Sequence, residues 1–263
     1  MLYIVATPIG NLKEITHRAI EVLNSVDYIA CEDTRTSKVL LDHYDIKKRL
    51  VAYHKFNEKQ ESKTIIDDLK EGKDIALISD AGMPGISDPG AVLVRELIDA
   101  GLDYTVVSGP SAFTNAFVLS GFPTPMTFVG FLPDNNVDKM ALLEDLSKYN
   151  STLIFYCSPH AIEKDIDTMY NVMGDRDIAV VREISKKFEE VNFTTLKDGY
   201  QGTVKGEFVV LIKPKKQEKT MDIDKNLQTL LDMGLTKTEA SKVIAKISGL
   251  KKSDIYKNLV TKD

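Results

Sequence analysis

The sequence predicts two α/β domains with a cleft between them, followed by a small helical unit. Residues 1–113 alternate short apolar or β-branched runs with helical patterns, and a second block of this kind follows the proline-containing segment 120–125. After a polar segment at 214–219, the chain carries only helical patterns. We therefore expect domains at residues 1–118, 119–214 and 220–263.

Strands and helices alternate through the first predicted domain. Its short runs are continuously apolar, which is typical of strands buried on both faces of a mostly parallel sheet. Thr16 is a candidate cap for the first helix, and Gly72 and Gly101 end the last two. The expected strands are 2–6, 26–31, 50–53, 74–79 and 104–108, and the expected helices are 16–25, 37–44, 59–71 and 90–100.

The second block is also α/β, and the tail is helical. Thr236 and Glu239 form a sequence pattern typical of a capping box at the start of a tail helix. The expected strands are 127–129, 152–156, 178–181 and 207–212, and the expected helices are 138–149, 161–173, 224–233, 237–248 and 253–260.

The composition is that of a globular chain of 263 residues, with 43% hydrophobic and 28% charged residues. No apolar run approaches the roughly 20 residues that span a bilayer, and residues 1–6 are typical of a buried strand, not of a signal peptide. Two cysteines far apart in sequence, Cys31 and Cys157, can build neither a disulfide framework nor a zinc motif. We expect a cytoplasmic protein without a membrane contact or a metal site.

Charge is distributed unevenly along the chain. The net charge of −5 argues weakly against a constitutive nucleic-acid binder. From residue 213 onward, however, 12 lysines stand against seven acidic residues. An acidic body with a basic tail fits an enzyme whose RNA contacts are concentrated in a few places, and it fits many enzymes without an RNA substrate equally well.

Three loops rich in small residues follow strands of the predicted parallel sheet. They are residues 7–12, 79–90 and 108–112, and the carboxyl ends of such strands are where open α/β sheets bind ligands. In the second loop, glycines allow close approach to the backbone, and Asp80 and Asp88 can accept hydrogen bonds. Asp88 alternatively caps the following helix. Neither the dinucleotide fingerprint nor a P-loop motif occurs in the sequence.

These loops and several further motifs resemble those of the ribosomal-RNA methyltransferases in the tetrapyrrole methylase superfamily. The resemblance covers roughly residues 1–213, with the motifs in the same order and at similar spacing. It rests on residues 7–12, 32–35, His54 with Asn57 and Glu58, 79–90, 109–112, 130–133, 155–156 and 182–186.

The resemblance implies a function as well as a fold. It implies two α/β domains of the tetrapyrrole methylase type, with S-adenosylmethionine bound in the cleft, and a homodimer. It also implies methylation of the ribose 2′-hydroxyl of a cytidine in the decoding centre of 16S rRNA, within the 30S ribosomal subunit. One departure is residues 134–138, Asp-Asn-Asn-Val-Asp, where family members usually carry basic residues. This puts phosphate contacts from that loop in doubt.

The resemblance also suggests cofactor-binding residues in both domains. Pro8 would pack near the methyl donor, and Tyr156 and Cys157 would line the wall formed by the second domain. The remaining candidates are Asp80, Ala81, Gly82, Met83, Asp88, Ser111 and Ala112. The Met83 side chain is alternatively ordinary packing.

Five further residues are candidates for catalysis: His54, Glu58, Arg35, Arg182 and Glu183. Methyl transfer depends mainly on positioning, but a weakly acidic 2′-hydroxyl benefits from a base. His54 is either that base or a structural histidine, and Arg35 either holds a phosphate or forms an ion pair. Arg182 and Glu183 either close the cleft or form a salt bridge between the domains.

Two other functions remain open from the sequence. One is a methyltransferase that acts on a tetrapyrrole or another small molecule. The other is a nucleic-acid regulator that uses the helical tail, with the α/β body as a ligand sensor. Lysines in the tail can bind RNA in a salt-dependent way, but a helical cap or dimerisation element explains the tail equally well.

Overall fold

The computed structural model describes residues 1–215, 223–253 and 255. The chain divides into two compact units, Met1–Pro214 and Lys215–Asp263. Two five-stranded sheets with their helices lie in the first unit, and the described residues of the second unit include two helices. The predicted fold class, α/β with a C-terminal helical part, is confirmed.

The sequence predicted a mostly parallel first sheet, and the sheet is entirely parallel, with strand order β3-β2-β4-β1-β5. Its strands are β1 (Leu2–Val5), β2 (Tyr28–Cys31), β3 (Arg49–Ala52), β4 (Ile75–Ile78) and β5 (Tyr104–Val107). The connecting helices are α1 (His17–Ser25), α2 (Thr34–His43), α3 (Glu58–Lys70) and α4 (Ala91–Ala100), with a 3₁₀ turn at Leu12–Glu14.

Helices cover both faces of the first sheet because each one buries a single apolar stripe. Val22 of α1 and Leu41 of α2 belong to one core cluster, whereas Ile65 of α3 and Leu93 of α4 belong to another. Thr16 caps α1 by accepting a hydrogen bond from the backbone N–H of Ala19, as predicted.

The expectation that every strand of this sheet is buried on both faces is wrong for the edges. Burial is nearly complete in β2 and β4, but β3 is partly exposed. In β5 the Val106 side chain is 52% exposed, and Tyr104 is exposed as well. These two strands form the two opposite edges of the sheet, where the helices cover less of the strand surface.

The second sheet is mixed, with strand order β6-β7-β10-β8-β9, and only β6 and β7 pair in parallel. Its strands are β6 (Met126–Phe131), β7 (Thr152–Cys157), β8 (Asp177–Arg182), β9 (Glu190–Thr195) and β10 (Phe208–Ile212). Its helices are α5 (Ala112–Ser120), α6 (Asn136–Leu146) and α7 (Ile162–Met173). The sequence analysis missed β9 and α5.

Helix α5 crosses the predicted domain boundary at residue 118. Its Ala116 is fully buried in a cluster with Ile154, Ala179 and Val209, all of which belong to strands of the second sheet. Helices α6 and α7 cover the opposite face of that sheet. By packing, therefore, α5 belongs with the second sheet, although it directly follows the last loop of the first.

The second compact unit contains α8 (Ile223–Asp232) and α9 (Lys237–Ser248). Thr236 and Glu239 form the predicted capping box. Leu227 of α8 and Ile244 of α9 are buried in one small apolar cluster between the two helices. The predicted helix 253–260 lies almost entirely outside the described residues. No helix within the described ranges combines the length and apolar character that a membrane span requires.

Candidate functional site

The loops at the carboxyl edge of the first sheet are tied together by hydrogen bonds. The Thr7 backbone N–H donates to the Gly82 carbonyl oxygen at 2.8 Å, and the Gly82 N–H donates back to Thr7 at 3.1 Å. The Asp33 N–H donates to the Asp80 carboxylate at 3.1 Å. The loops after β1 and β4 therefore meet, as the sequence predicted, and the loop after β2 joins them.

At two positions in these loops, the backbone geometry requires a glycine. Gly82 has φ 83, in the left-handed region that favours this residue. A Cβ atom added to Gly109 would lie 2.7 Å from the Cβ atom of Ala6. These residues bring the loops after β1, β4 and β5 into close contact.

A cavity of about 260 Å³ lies between this edge and the second sheet. Most of the predicted cofactor-binding residues line it, namely Ala81, Gly82, Met83, Asp88, Ser111, Ala112, Tyr156 and Cys157. Pro8 is buried next to the lining residue Ile9, and Asp80 is instead the acceptor for Asp33. A role in cofactor binding remains a prediction for all ten.

The sequence analysis missed part of the lining. Phe131 ends β6, Ser158 and Pro159 follow β7, and Glu207 precedes β10. The remaining missed residues are Ile9, Ile86, Ser87, Phe208 and Val209. The signal available for Ser158 and Pro159 was their place directly after a predicted strand. None was available for Glu207, because the neighbours of β10 in the sheet are not apparent from sequence order.

Three carboxyl groups gather beside the cavity: Glu32, Asp80 and Asp88. Burial raises the pKa of each above its ordinary value, and the negative charge of Asp80 raises the pKa of Glu32 further. For Asp88, burial and the charges of Glu32 and Asp80 raise the pKa to about 7, although a hydrogen bond from Ser79 acts in the opposite direction. Asp88 does not cap α4, whose N-cap residue is Gly90, so the capping alternative is wrong.

Arg35 forms an ion pair instead of reaching into the cavity. Its Nη2 atom lies 2.6 Å from the Asp33 carboxylate, and its side chain is 90% exposed. Hydrogen bonds from Arg35 hold the pKa of Asp33 at about 2. The ion-pair alternative is therefore observed, and a phosphate contact by the exposed guanidinium remains a prediction.

The turn after β3 holds His54 in a fixed backbone position. The Asn57 side chain accepts a hydrogen bond from the His54 N–H at 2.8 Å and donates one to the Ala52 carbonyl at 2.9 Å. The His54 Nδ1 atom is buried and has no hydrogen-bond partner in the part of the chain that the structure describes. Glu58 begins α3 and is half-buried. Neither His54 nor Glu58 is among the lining residues of the cavity.

Arg182 and Glu183 are paired within the second domain. Arg182 forms an ion pair with Glu190 of the neighbouring strand at 3.0 Å, and Glu183 forms one with Lys186 at 2.9 Å. Lys186 also contacts Glu207 at 3.1 Å, which links this loop to the cavity lining. A salt bridge from Arg182 or Glu183 to the first domain is therefore not observed among the described residues.

Residues 1–199 match the family model of tetrapyrrole (corrin/porphyrin) methylases. The chain belongs to this family. Two bacterial proteins named ribosomal RNA small subunit methyltransferase I are similar over most of their length. The one from Halalkalibacterium halodurans is 40% identical and covers 97% of this chain and 93% of its own. The one from Mesorhizobium japonicum is 42% identical, with 98% and 91% coverage.

Shorter relatives and solved structures agree with this assignment. A protein of the same name from Mycoplasmopsis pulmonis is 46% identical over 80% of this chain and 96% of its own. The crystal structure of a uroporphyrin-III C-methyltransferase from Thermus thermophilus has a TM-score of 0.58 at 17% identity, with coverage of 81% and 93%. At that identity the structural match supports the fold alone.

Methyltransferases of this family use S-adenosylmethionine as methyl donor, in agreement with the predicted cofactor. The cavity suits such a molecule because the cofactor carries positive charge on sulfur and on its amino group, and buried carboxyl groups favour nearby cations. Gly82 has no side chain, and those of Ser111 and Ala112 are small, which leaves room for the cofactor. The ring of Tyr156 forms an aromatic wall of the cavity.

The raised pKa of Asp88 predicts a pH-dependent effect of Asp88→Asn on stability. An ordinary aspartate has a pKa of 3.8, whereas folding raises that of Asp88 to about 7. The folded state is therefore penalised progressively as the pH rises between these values, and fully above them. Without cofactor, Asp88→Asn should raise the free energy of unfolding relative to wild type more at about pH 8 than at about pH 5, as measured by urea denaturation.

Asp33→Asn is the matched control for this measurement. The pKa of Asp33 is about 2 in the folded state, so this carboxylate is charged at both pH values whether the chain is folded or not. Its effect on stability should be the same at the two pH values. An equally constant difference for Asp88→Asn would contradict the raised pKa.

Proposed function

We propose that this protein transfers a methyl group from S-adenosylmethionine to the ribose 2′-oxygen of a cytidine in the decoding centre of 16S rRNA. The substrate in this proposal is the 30S subunit, and the place of action is the cytoplasm. The supporting observation is that relatives with 36–46% identity share the name of a small-subunit rRNA methyltransferase. Their similarity extends over the loops that line the cavity.

The cavity residues would hold the cofactor, which when bound supplies a methyl group already activated by the positive sulfur. Asp88 and its neighbouring carboxylates would attract the cationic parts of the molecule. The backbone at Gly82 and the small side chains of Ser111 and Ala112 would allow close contact. Fixing the donor in one orientation lowers the barrier because in-line displacement demands strict alignment.

His54 is the best candidate to accept the proton of the 2′-hydroxyl. Its backbone is fixed by Asn57, in the turn that follows β3 at the carboxyl edge of the first sheet. Glu32 directly follows β2, the neighbour of β3 in the sheet, and so lies at the same edge of the sheet as His54. Glu58, at the start of α3, would support the same turn, and Arg35 would contact a phosphate through its exposed guanidinium.

Arg182 and Glu183 would act by positioning a loop. Their ion pairs to Glu190 and Lys186 hold the segment that follows β8. The aliphatic part of Lys186 packs so closely over Gly10 that any side chain at Gly10 would collide with it. The paired charges would thereby keep the second domain in contact with the loop after β1.

A homodimer would cover the exposed edge of the first sheet. The edge strand β5 exposes Tyr104 and Val106. Two further exposed residues lie nearby, Ile98 of α4 and Ile86 in the loop after β4. An exposed apolar patch on an unpaired edge is typical of an interface.

We expect Val106→Glu to give a monomer and Val39→Glu, on α2, to leave a dimer in light scattering. A wild-type monomer would contradict the proposal.

The reaction is tested with unmethylated 30S subunits and cofactor labelled in its methyl group. The expected result is label on a single ribose of 16S rRNA, located by nuclease digestion and resistant to alkaline cleavage at that linkage. Label on a base would contradict 2′-O chemistry. Transfer to uroporphyrinogen without transfer to subunits would instead favour the small-molecule function.

His54→Ala should lower turnover on 30S subunits by about 10²- to 10⁴-fold, the usual contribution of a general base. The dissociation constant of S-adenosylmethionine, measured by calorimetry, should stay close to that of wild type. His43→Ala is the control, because His43 is exposed at the far end of α2 from the site. Turnover of His54→Ala equal to that of wild type would exclude His54 as the base.

A further inference from the structure

Two exposed Lys–Phe pairs are not explained by the fold. The Phe56 side chain, in the turn between β3 and α3, is 95% exposed and follows the exposed Lys55. In the second domain, Phe188 is also exposed, and the Nζ atom of Lys187 lies 5.5 Å from the centroid of its ring. A phenylalanine in water gains little for folding, so the repeated arrangement calls for another role.

The two pairs follow strand ends, one in each sheet, and each is linked to the loops around the cavity. The Phe56 ring is 6.1 Å from the His54 ring, in the turn after β3 at the carboxyl edge of the first sheet. Phe188 follows Lys186, which contacts the cavity residue Glu207 and packs over Gly10.

Aromatic rings next to lysines suit unpaired nucleotides. Exposed rings stack on bases regardless of sequence, and lysines neutralise the neighbouring phosphates. This chemistry also fits the local charge, since positive side chains flank a cavity whose own groups are carboxylates. A small tetrapyrrole would need neither pair, because each lies outside the cavity lining.

We propose that Phe56 and Phe188, each with its preceding lysine, bind an unpaired RNA segment on the two sides of the nucleotide that is methylated. Bases stack on the rings, and Lys55 and Lys187 contact phosphates. This inference rests on the proposed function, since it assigns residues for substrate binding in that reaction.

The test compares Phe56→Ala, Phe188→Ala and Phe56→Tyr in methyl transfer to 30S subunits. Loss of one stacking ring should raise the KM for subunits about 5- to 100-fold, with the cofactor dissociation constant unchanged. Phe56→Tyr keeps an aromatic face and should restore a KM within about twofold of wild type. Replacing Lys55 and Lys187 by Ala should reduce the dependence of KM on salt.

Phe193→Ala is the matched control. Phe193 is 61% exposed on β9, pairs with Ala179 of β8 and is not preceded by a lysine, so its loss should leave KM unchanged. If wild type methylates subunits and both Phe56→Ala and Phe188→Ala keep its KM, the inference fails while the proposed function stands. If wild type methylates no RNA, both are overturned.

Discussion

The reciprocal hydrogen bonds between Thr7 and Gly82 are the contact on which the site depends. They join the loops after two neighbouring parallel strands, and the Thr7 hydroxyl adds a bond to the Ser79 carbonyl at 3.1 Å. The bonded residues stand close in sequence to Ile9 and Met83, which both line the cavity. Because Gly82 needs a positive φ to make them, the glycine-rich sequence of this loop is a backbone requirement before it is a binding feature.

The same loop arrangement brings carboxyl groups together at a cost in stability. Glu32, Asp80 and Asp88 lie where burial and mutual repulsion both oppose ionisation. A fold selected for stability alone would avoid such a cluster, whereas a cationic ligand would offset the repulsion. Asp33 differs from these three because Arg35 neutralises it at the surface. The contrast locates the uncompensated negative charge beside the cavity, where positive charge is required.

The sequence predicted the first sheet well because parallel strands leave a local signature. Each buried strand is a short apolar run, and each ligand-binding loop follows its own strand. The second sheet was harder, because β10 lies between β7 and β8 although it comes last in the chain. That order makes Glu207 part of the cavity, and no local pattern indicates it. Helix α5 was missed because its apolar residues do not form one clear stripe, and β9 because it mixes polar and apolar residues.

The cavity and the C-terminal helices belong to different compact units of the chain. Every residue of the cavity lining belongs to Met1–Pro214, and the family match ends at residue 199. The Mycoplasmopsis relative is matched over 214 residues, which is 96% of its own length, so it has little room for a comparable tail. A relative of the same name thus manages with a chain about as long as the first unit. A tail of this length is therefore not shared by every relative of that name.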